Sequence, residues 1–402
     1  MDSLTLDKVY HAAYVLKSVA RKTDLIHAAG LCPDCDLYLK TENLQVTGSF
    51  KVRGAYYKIS QLTEEEKSKG VIASSAGNHA QGVALAAKEN GIPCVICMPD
   101  GAPISKVEAT KAYGAKVCLV KGAYDDAYDY ACELQEKEGY TFIHPFNDPE
   151  VIAGQGTIGL EILDQLPDVE VVLVPVGGGG LISGVAYAIK KLHPECKVYG
   201  VQAAGSASME QSLKQHEPIT LDTAATFADG IAVKHPGDLT FDLVSKYVDG
   251  VVTVTDDETA CAILALMEKQ KLVTEGAGAV AVAAAMFGKV DIQGKKTVCL
   301  LSGGNIDVNI LSRVISRGLT IAGRNSTLTL QLEDKPGQLT DVSEIISRNG
   351  GNVVRVHYNQ ADPNLAITSC YLTLSIETRD GEQVEKIKKD LPASGFQLVS
   401  HT

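Results

Sequence analysis

Six short apolar runs, at residues 71–73, 93–98, 116–120, 171–176, 198–202 and 297–301, constrain this chain more than any other feature. Four of them lead into amphipathic stretches at 80–88, 104–113, 124–138 and 181–192. Apolar runs of this length without strict alternation predict strands covered on both faces, and the stretches between them predict crossover helices. The expected fold class is therefore α/β, with mostly parallel sheets and helices on both faces. With 402 residues, 45% of them hydrophobic, the chain can build two or three domains. An opening helix is expected over 6–19, where Val9, Ala12, Ala13 and Leu16 fall at helical spacing.

The pattern changes near Arg324. Strands are expected at 326–332, 352–359, 366–376 and 396–399, with helices at 336–349 and 381–391. That order is βαββαβ, the arrangement of a ferredoxin-like sandwich. A helix over 308–316 closes the larger body, which places the boundary near residue 322.

The formal charge of −12 excludes a general nucleic-acid partner, because phosphate binding wants a basic stripe. The short basic run at 386–389 reads as a solvated helix face. No stretch of about 18 apolar residues is present, so no membrane span is expected. The first residues lack a basic region followed by an apolar block, so a cytoplasmic location is expected. The ten cysteines are scattered through apolar segments and read as small core residues. Cys94 and Cys97 lie three apart in an expected strand and would point to opposite faces. With Cys32 and Cys35 placed in a loop, reduced thiols are expected rather than a zinc site, and no metal is assigned.

The chemistry centres on Lys51, at the end of the run Thr47-Gly48-Ser49-Phe50-Lys51. Most lysines are solvated charges, but burial can lower the pKa and make the amine reactive toward a carbonyl. Gly177, Gly178, Gly179 and Gly180 stand between an expected strand and helix. Such a loop either cradles a phosphate on backbone amides or is a flexible turn. A dinucleotide fingerprint fails, since Ser183 stands where the third glycine belongs and no acidic residue follows about 20 positions on. A nucleotide P-loop fails for lack of Gly-Lys-Ser/Thr. A reactive amine together with a phosphate cradle points to pyridoxal phosphate (PLP). Ser302-Gly303-Gly304-Asn305 is by itself a common turn, and gains meaning because it ends a strand of the same body.

Five ordered motifs carry a resemblance. They are Gly48-Ser49-Phe50-Lys51-Val52-Arg53-Gly54-Ala55, Ser74-Ser75-Ala76-Gly77-Asn78-His79-Ala80-Gln81-Gly82, Gly154-Gln155-Gly156-Thr157, the four glycines with Leu181, and Ser302-Gly303-Gly304-Asn305. Over residues 5–320 the chain resembles the threonine dehydratases (threonine ammonia-lyases), fold-type II PLP enzymes of the tryptophan-synthase-β-like family. The tail resembles an ACT regulatory domain. The resemblance implies a catalytic domain over 1–322, with a smaller lobe over roughly 40–145 inserted in a larger one, and an ACT-like domain over 323–402. Lys51 would hold the cofactor covalently. Phe50 would pack on one face of its ring and Gly230 would leave room on the other. Asn78 would bond the ring hydroxyl, and Gly177, Gly178, Gly179, Gly180 and Leu181 would hold the phosphate. Ser302 would meet the pyridine nitrogen, and Glu275 would line the far edge. Ser75, Gly77, Asn78 and His79 would receive the substrate carboxylate.

The implied reaction is dehydration and deamination of L-threonine to 2-oxobutanoate and ammonia, and of L-serine to pyruvate. A serine dehydratase or serine racemase is the nearest alternative, but Ala76 stands where racemases place a serine as second acid or base. The racemases' divalent-metal site has acidic residues near positions that here are Gln202 and Ser208. A colourless amino-acid sensor is the alternative from another class. In the tail, Pro336, Gly337, Gln338 and Leu339 form the expected effector turn, for an amino acid or nucleotide, unless that domain serves only to dimerise. Homodimers or homotetramers are expected.

Overall fold

The computed structural model describes residues 4–28 and 30–399. The chain divides into two compact units, Met1–Asp307 and Val308–Thr402. The helix Val308–Ile321 belongs to the second unit, so the division falls ahead of residue 322.

The first unit contains two sheets. The larger has the spatial order Leu25–His27, Asp36–Lys40, Lys296–Leu300, Val171–Pro175, Lys197–Ala203, Gly250–Val254, parallel except for its first pair. The smaller runs Lys116–Val120, Cys94–Pro99, Val71–Ser74, Thr141–Phe142, all parallel. Every residue of Val71–Ser74 and of Val171–Pro175 is buried, as expected for parallel strands covered on both sides. Cys94 packs in the core on one face of the smaller sheet and Cys97 in the core on the other. Burial pushes the Cys35, Cys94 and Cys97 thiols up to about 12, which keeps them protonated. The α/β fold with mostly parallel sheets is as the apolar runs predicted.

The helix Lys51–Ser60 is fixed by two devices. It crosses Pro149–Gln165 where both carry glycine: a Cβ on Gly154 would sit 2.7 Å from Arg53 O and Gly54 Cα, and one on Gly54 would strike Gln155 and Val151 O. Beside this crossing lies a buried charge network. Arg53 donates to Glu42 at 2.7 and 2.8 Å, to Glu161 at 2.6 and 3.0 Å, and to Thr157 and the Arg21 carbonyl. Lys40, fully buried, donates to Thr23 O, Glu161 and Gln165. Two cations face two carboxylates with their donors satisfied, the condition under which buried charge is tolerated.

The second unit is an antiparallel sheet in the order Asn352–Asn359, Ser369–Glu377, Asn325–Glu333, Gln397–Leu398. Ser369–Glu377 alternates buried and half-buried residues, so one face carries the core. Val342, Ile346, Ile387 and Leu391, from helices Gln338–Arg348 and Gly381–Ala393, pack on that face. The order βαββαβ agrees with the sequence pattern. No helix among the described residues is long and apolar enough to cross a membrane.

Candidate active site

Lys51 opens its helix, directly after the turn that carries Ser49 and Phe50, rather than lying within a turn. Two backbone contacts lock that turn to the loop beyond Lys296–Leu300: Ser49 bridges Gly303, and Phe50 N donates to Ser302 O at 3.1 Å. Phe50, Lys51 and Ser302 are thereby brought together from opposite ends of the unit. The Lys51 amine donates to Pro145 O at 3.0 Å and lies 5.4 Å from the Phe50 ring centre. Burial pushes this amine down to about 8, against the pull of the Glu275 charge.

Asn78 begins the helix Asn78–Glu89, and its side-chain NH2 donates to Glu275 Oε1 at 2.6 Å. Its oxygen accepts from Asn305 Nδ2 at 2.8 Å, and Asn305 also donates to Thr47 O at 2.7 Å. Glu275 is buried at the start of the helix Gly276–Met286. Burial, aided by the Asp229 charge, pushes its carboxyl up to about 7. Gly230 and Gly303 both face this carboxyl, since a Cβ on either would approach Glu275 Oε1. Ser302 is buried, with its hydroxyl donating to Ala277 O at 3.2 Å. Lys106, on the helix Ile104–Ala112 beside the smaller sheet, pairs with Asp229 at 2.5 Å, next to Gly230.

The four glycines join Val171–Pro175 to the helix Gly180–Leu192, and Gly179 adopts φ +96°, which favours glycine. Leu181 is buried and packs in the core of the larger sheet, so only its backbone is left to face an anion. Ser75 Oγ accepts from Gly77 N at 3.2 Å, and the space beside Gly77 is open. The first amides of the Asn78–Glu89 helix have no intrahelical acceptor and suit a carboxylate. The His79 imidazole is not part of that group. It bonds Ile143 O through Nε2 at 2.8 Å, and burial pushes it down to about 3, so only its backbone faces the helix start.

Sequence reasoning passed over the segment His144-Pro145-Phe146-Asn147, which supplies the carbonyl for Lys51. Its signal was a string of turn-forming residues directly after the short strand Thr141–Phe142. At Gln202, Nε2 donates to Ser206 O at 3.2 Å and Oε1 accepts from Glu210 N at 2.8 Å, while Ser208 Oγ donates to Val233 O at 2.8 Å. Amide and hydroxyl protons thus meet these carbonyls where an acidic pair would invite a cation.

Residues 16–303 match the family described as pyridoxal-phosphate dependent enzyme. The chain belongs to the pyridoxal-phosphate dependent enzyme family. It is 51% identical over 397 residues to an L-threonine ammonia-lyase of Thermotoga maritima, covering 98% of this chain and 99% of that one. It is also similar to the solved threonine deaminase isoform 2 of Solanum lycopersicum in its processed form, with TM-score 0.74, 40% identity and coverage of 78% and 87%. Maize serine racemase gives TM-score 0.74 at 35% identity, with coverage of 79% and 99%.

The residues present fit the family's cofactor. A partly buried primary amine is held near neutrality, a glycine run opens a helix, and a polar rim of Asn78, Glu275 and Ser302 stands beside the amine's turn. One pH effect follows from Glu275. Its pKa of about 7 lies above the ordinary 4.5, so the stability it contributes is complete below about pH 4.5 and is lost as pH rises through 7. In the cofactor-free protein, Glu275→Gln should remove this slope. The difference in unfolding free energy between native and variant chains should change by on the order of 2–3 kcal/mol between about pH 5 and pH 8. Denaturant titrations at both pH values check it, and parallel curves would refute the assignment.

Proposed function

We propose that this chain is a PLP-dependent L-threonine ammonia-lyase that also accepts L-serine and is regulated through its C-terminal unit. The carrying observation is the protonation pattern around Lys51. Its amine sits at about 8, whereas His79 and His144 are pushed by burial to about 3 and 4 and stay neutral. His79 Nε2 is committed to Ile143 O, and His144 Nδ1 accepts from the Phe146 and Asn147 amides. Lys51 is thus the group suited to move the Cα proton near working pH. When bound, PLP supplies an aldehyde for the amine and an electron sink for the Cα–H bond electrons. The Cα proton is removed, the β-hydroxyl leaves as water, and hydrolysis consumes one water while releasing ammonia and the 2-oxo acid. Ala76 offers no proton to the opposite face, which favours elimination over racemisation.

The Asn78–Glu89 helix start, with Ser75 and Gly77, would receive the substrate carboxylate, and Asn78 and Glu275 would meet the ring's polar edge. The full-length similarity to an L-threonine ammonia-lyase supports the substrate. In the second unit, Gly337 adopts φ +97° at the start of the Gln338–Arg348 helix and has open space beside it. Pro336, Gly337, Gln338 and Leu339 would form the effector turn there. The edge strand Asn352–Asn359 exposes Val354, Val356 and Tyr358, which supports assembly into dimers or tetramers.

Steady-state kinetics test this reading. Threonine should yield 2-oxobutanoate and serine pyruvate, with kcat/KM for the two within about two orders of magnitude, since one methyl group discriminates by ~1–3 kcal/mol. A branched-chain amino acid or AMP should shift KM or kcat severalfold. Failure to consume threonine would overturn the substrate assignment, and indifference to every such effector would overturn the regulatory one.

A further inference from the structure

Glycine at positions 178 and 180 is demanded by the protein itself. A Cβ on Gly178 would lie 2.5 Å from three atoms of the Phe146 ring. One on Gly180 would lie 2.8 Å from Phe146 Cα and Cβ and 2.9 Å from its carbonyl oxygen. Phe146 is itself firmly placed. Its amide and that of Asn147 donate to His144 Nδ1 at 3.2 and 2.8 Å, and its ring stands edge-on to the imidazole at 4.7 Å. Asn147 Oδ1 accepts from Leu239 N at 3.1 Å. From the far side, Thr240 Oγ1 donates to Gly178 O at 2.5 Å, and its Cβ lies 2.8 Å from where a Gly179 Cβ would be. The glycine loop is therefore gripped between Phe146 and Thr240. The residue before Phe146 offers its carbonyl to the Lys51 amine.

We propose that Phe146 is a positioning residue for the cofactor phosphate, holding the glycine loop in its anion-receiving shape and linking it in one turn to the Lys51 amine. This rests on the reading that the loop receives the phosphate. A preorganised loop spends no binding energy on being ordered, so loosening it weakens the phosphorylated ligand specifically. The ring and a side chain at 178 are also mutually exclusive in volume. Adding a methyl group at 178 overpacks the loop, and shrinking Phe146 relieves it.

The experiment measures binding of PLP and of pyridoxal, which lacks the phosphate, to the cofactor-free full-length chain by absorbance titration, with thermal unfolding of each variant as control. Phe146→Ala should weaken PLP roughly tenfold while leaving pyridoxal within about twofold, and Phe146→Leu should recover most of the loss. Gly178→Ala should weaken PLP by more than roughly tenfold, and Phe146→Ala combined with Gly178→Ala should bind PLP more tightly than Gly178→Ala alone. Equal weakening of both ligands by Phe146→Ala, no weakening, or no relief in the double variant would overturn the proposal. If Gly178→Ala itself leaves the ratio of PLP to pyridoxal affinity unchanged, the loop is not the phosphate site and the underlying reading falls with it.

Discussion

Lys51→Ala protein incubated with PLP and desalted should be colourless where the native chain is yellow, and its threonine turnover should fall at least about a thousandfold. Two losses combine in this one substitution. On the proposed function the amine would be both the covalent attachment point and the base for the Cα proton, and its pKa of about 8 is the product of its burial. The neighbouring imidazoles are poor replacements, because burial makes both weak bases, at about 3 and 4, and one ring nitrogen of each is already bonded to backbone. Lys51→Arg should be as inactive, since a guanidinium keeps the charge yet neither attaches nor deprotonates. A Lys51→Ala protein that keeps its visible absorbance, or a tenth of its turnover, would remove the foundation of the proposed function.

The second large effect concerns stability. Arg53→Met should lower the free energy of unfolding by about 3–5 kcal/mol, the usual cost of stranding one member of a buried ion pair. Burial pushes the Glu42 carboxyl up, but the Arg53 charge and hydrogen bonds outweigh it and hold the group below the usual carboxylate range. In the native chain that contribution is present above the ordinary pKa of 4.5 and is lost as acid protonates Glu42. With Arg53 gone, Glu42 loses its paired cation and keeps the Thr23 hydroxyl at 2.6 Å and the pull of the Lys40 charge, while Glu161 keeps Lys40 at 2.6 Å. The paired change Arg53→Met with Glu42→Gln should therefore be less damaging than Arg53→Met alone, a sign that only direct coupling produces. Denaturation midpoints of the native chain, both single variants and the double variant decide it, and simple additivity would count against the network.

The architecture was legible wherever burial wrote a long apolar run. Val71–Ser74 and Val171–Pro175 are buried throughout and stood out, whereas Thr141–Phe142 and Leu25–His27, at two and three residues, are too short to carry a period. Asp36–Lys40 alternates, but both its ends are charged, and Lys40 is buried only because Glu161 and Gln165 reach it from a distant helix. The motif residues were legible as types and not as contacts. Lys51, Phe50 and Ser302 do meet, through hydrogen bonds between segments some 250 positions apart in the chain that no local pattern encodes. His79 shows another limit: the motif offers its backbone amide for a substrate contact and does not tell that its ring is committed to Ile143 O. Phe146 was missed because its importance lies in the volume it takes from two glycines.

The bare crossing of Gly54 on Gly154 also fixes a phase. Each residue of an α-helix advances about 1.5 Å and turns about 100°. The three-residue interval from Lys51 to Gly54 thus sets the bearing on which the amine leaves its helix, measured from a point where two backbones touch. An insertion of a single residue within that interval swings the nitrogen a quarter-turn off target, however well the lengthened helix folds. The pocket around the amine can diversify by side-chain exchange, but this short count cannot change by one.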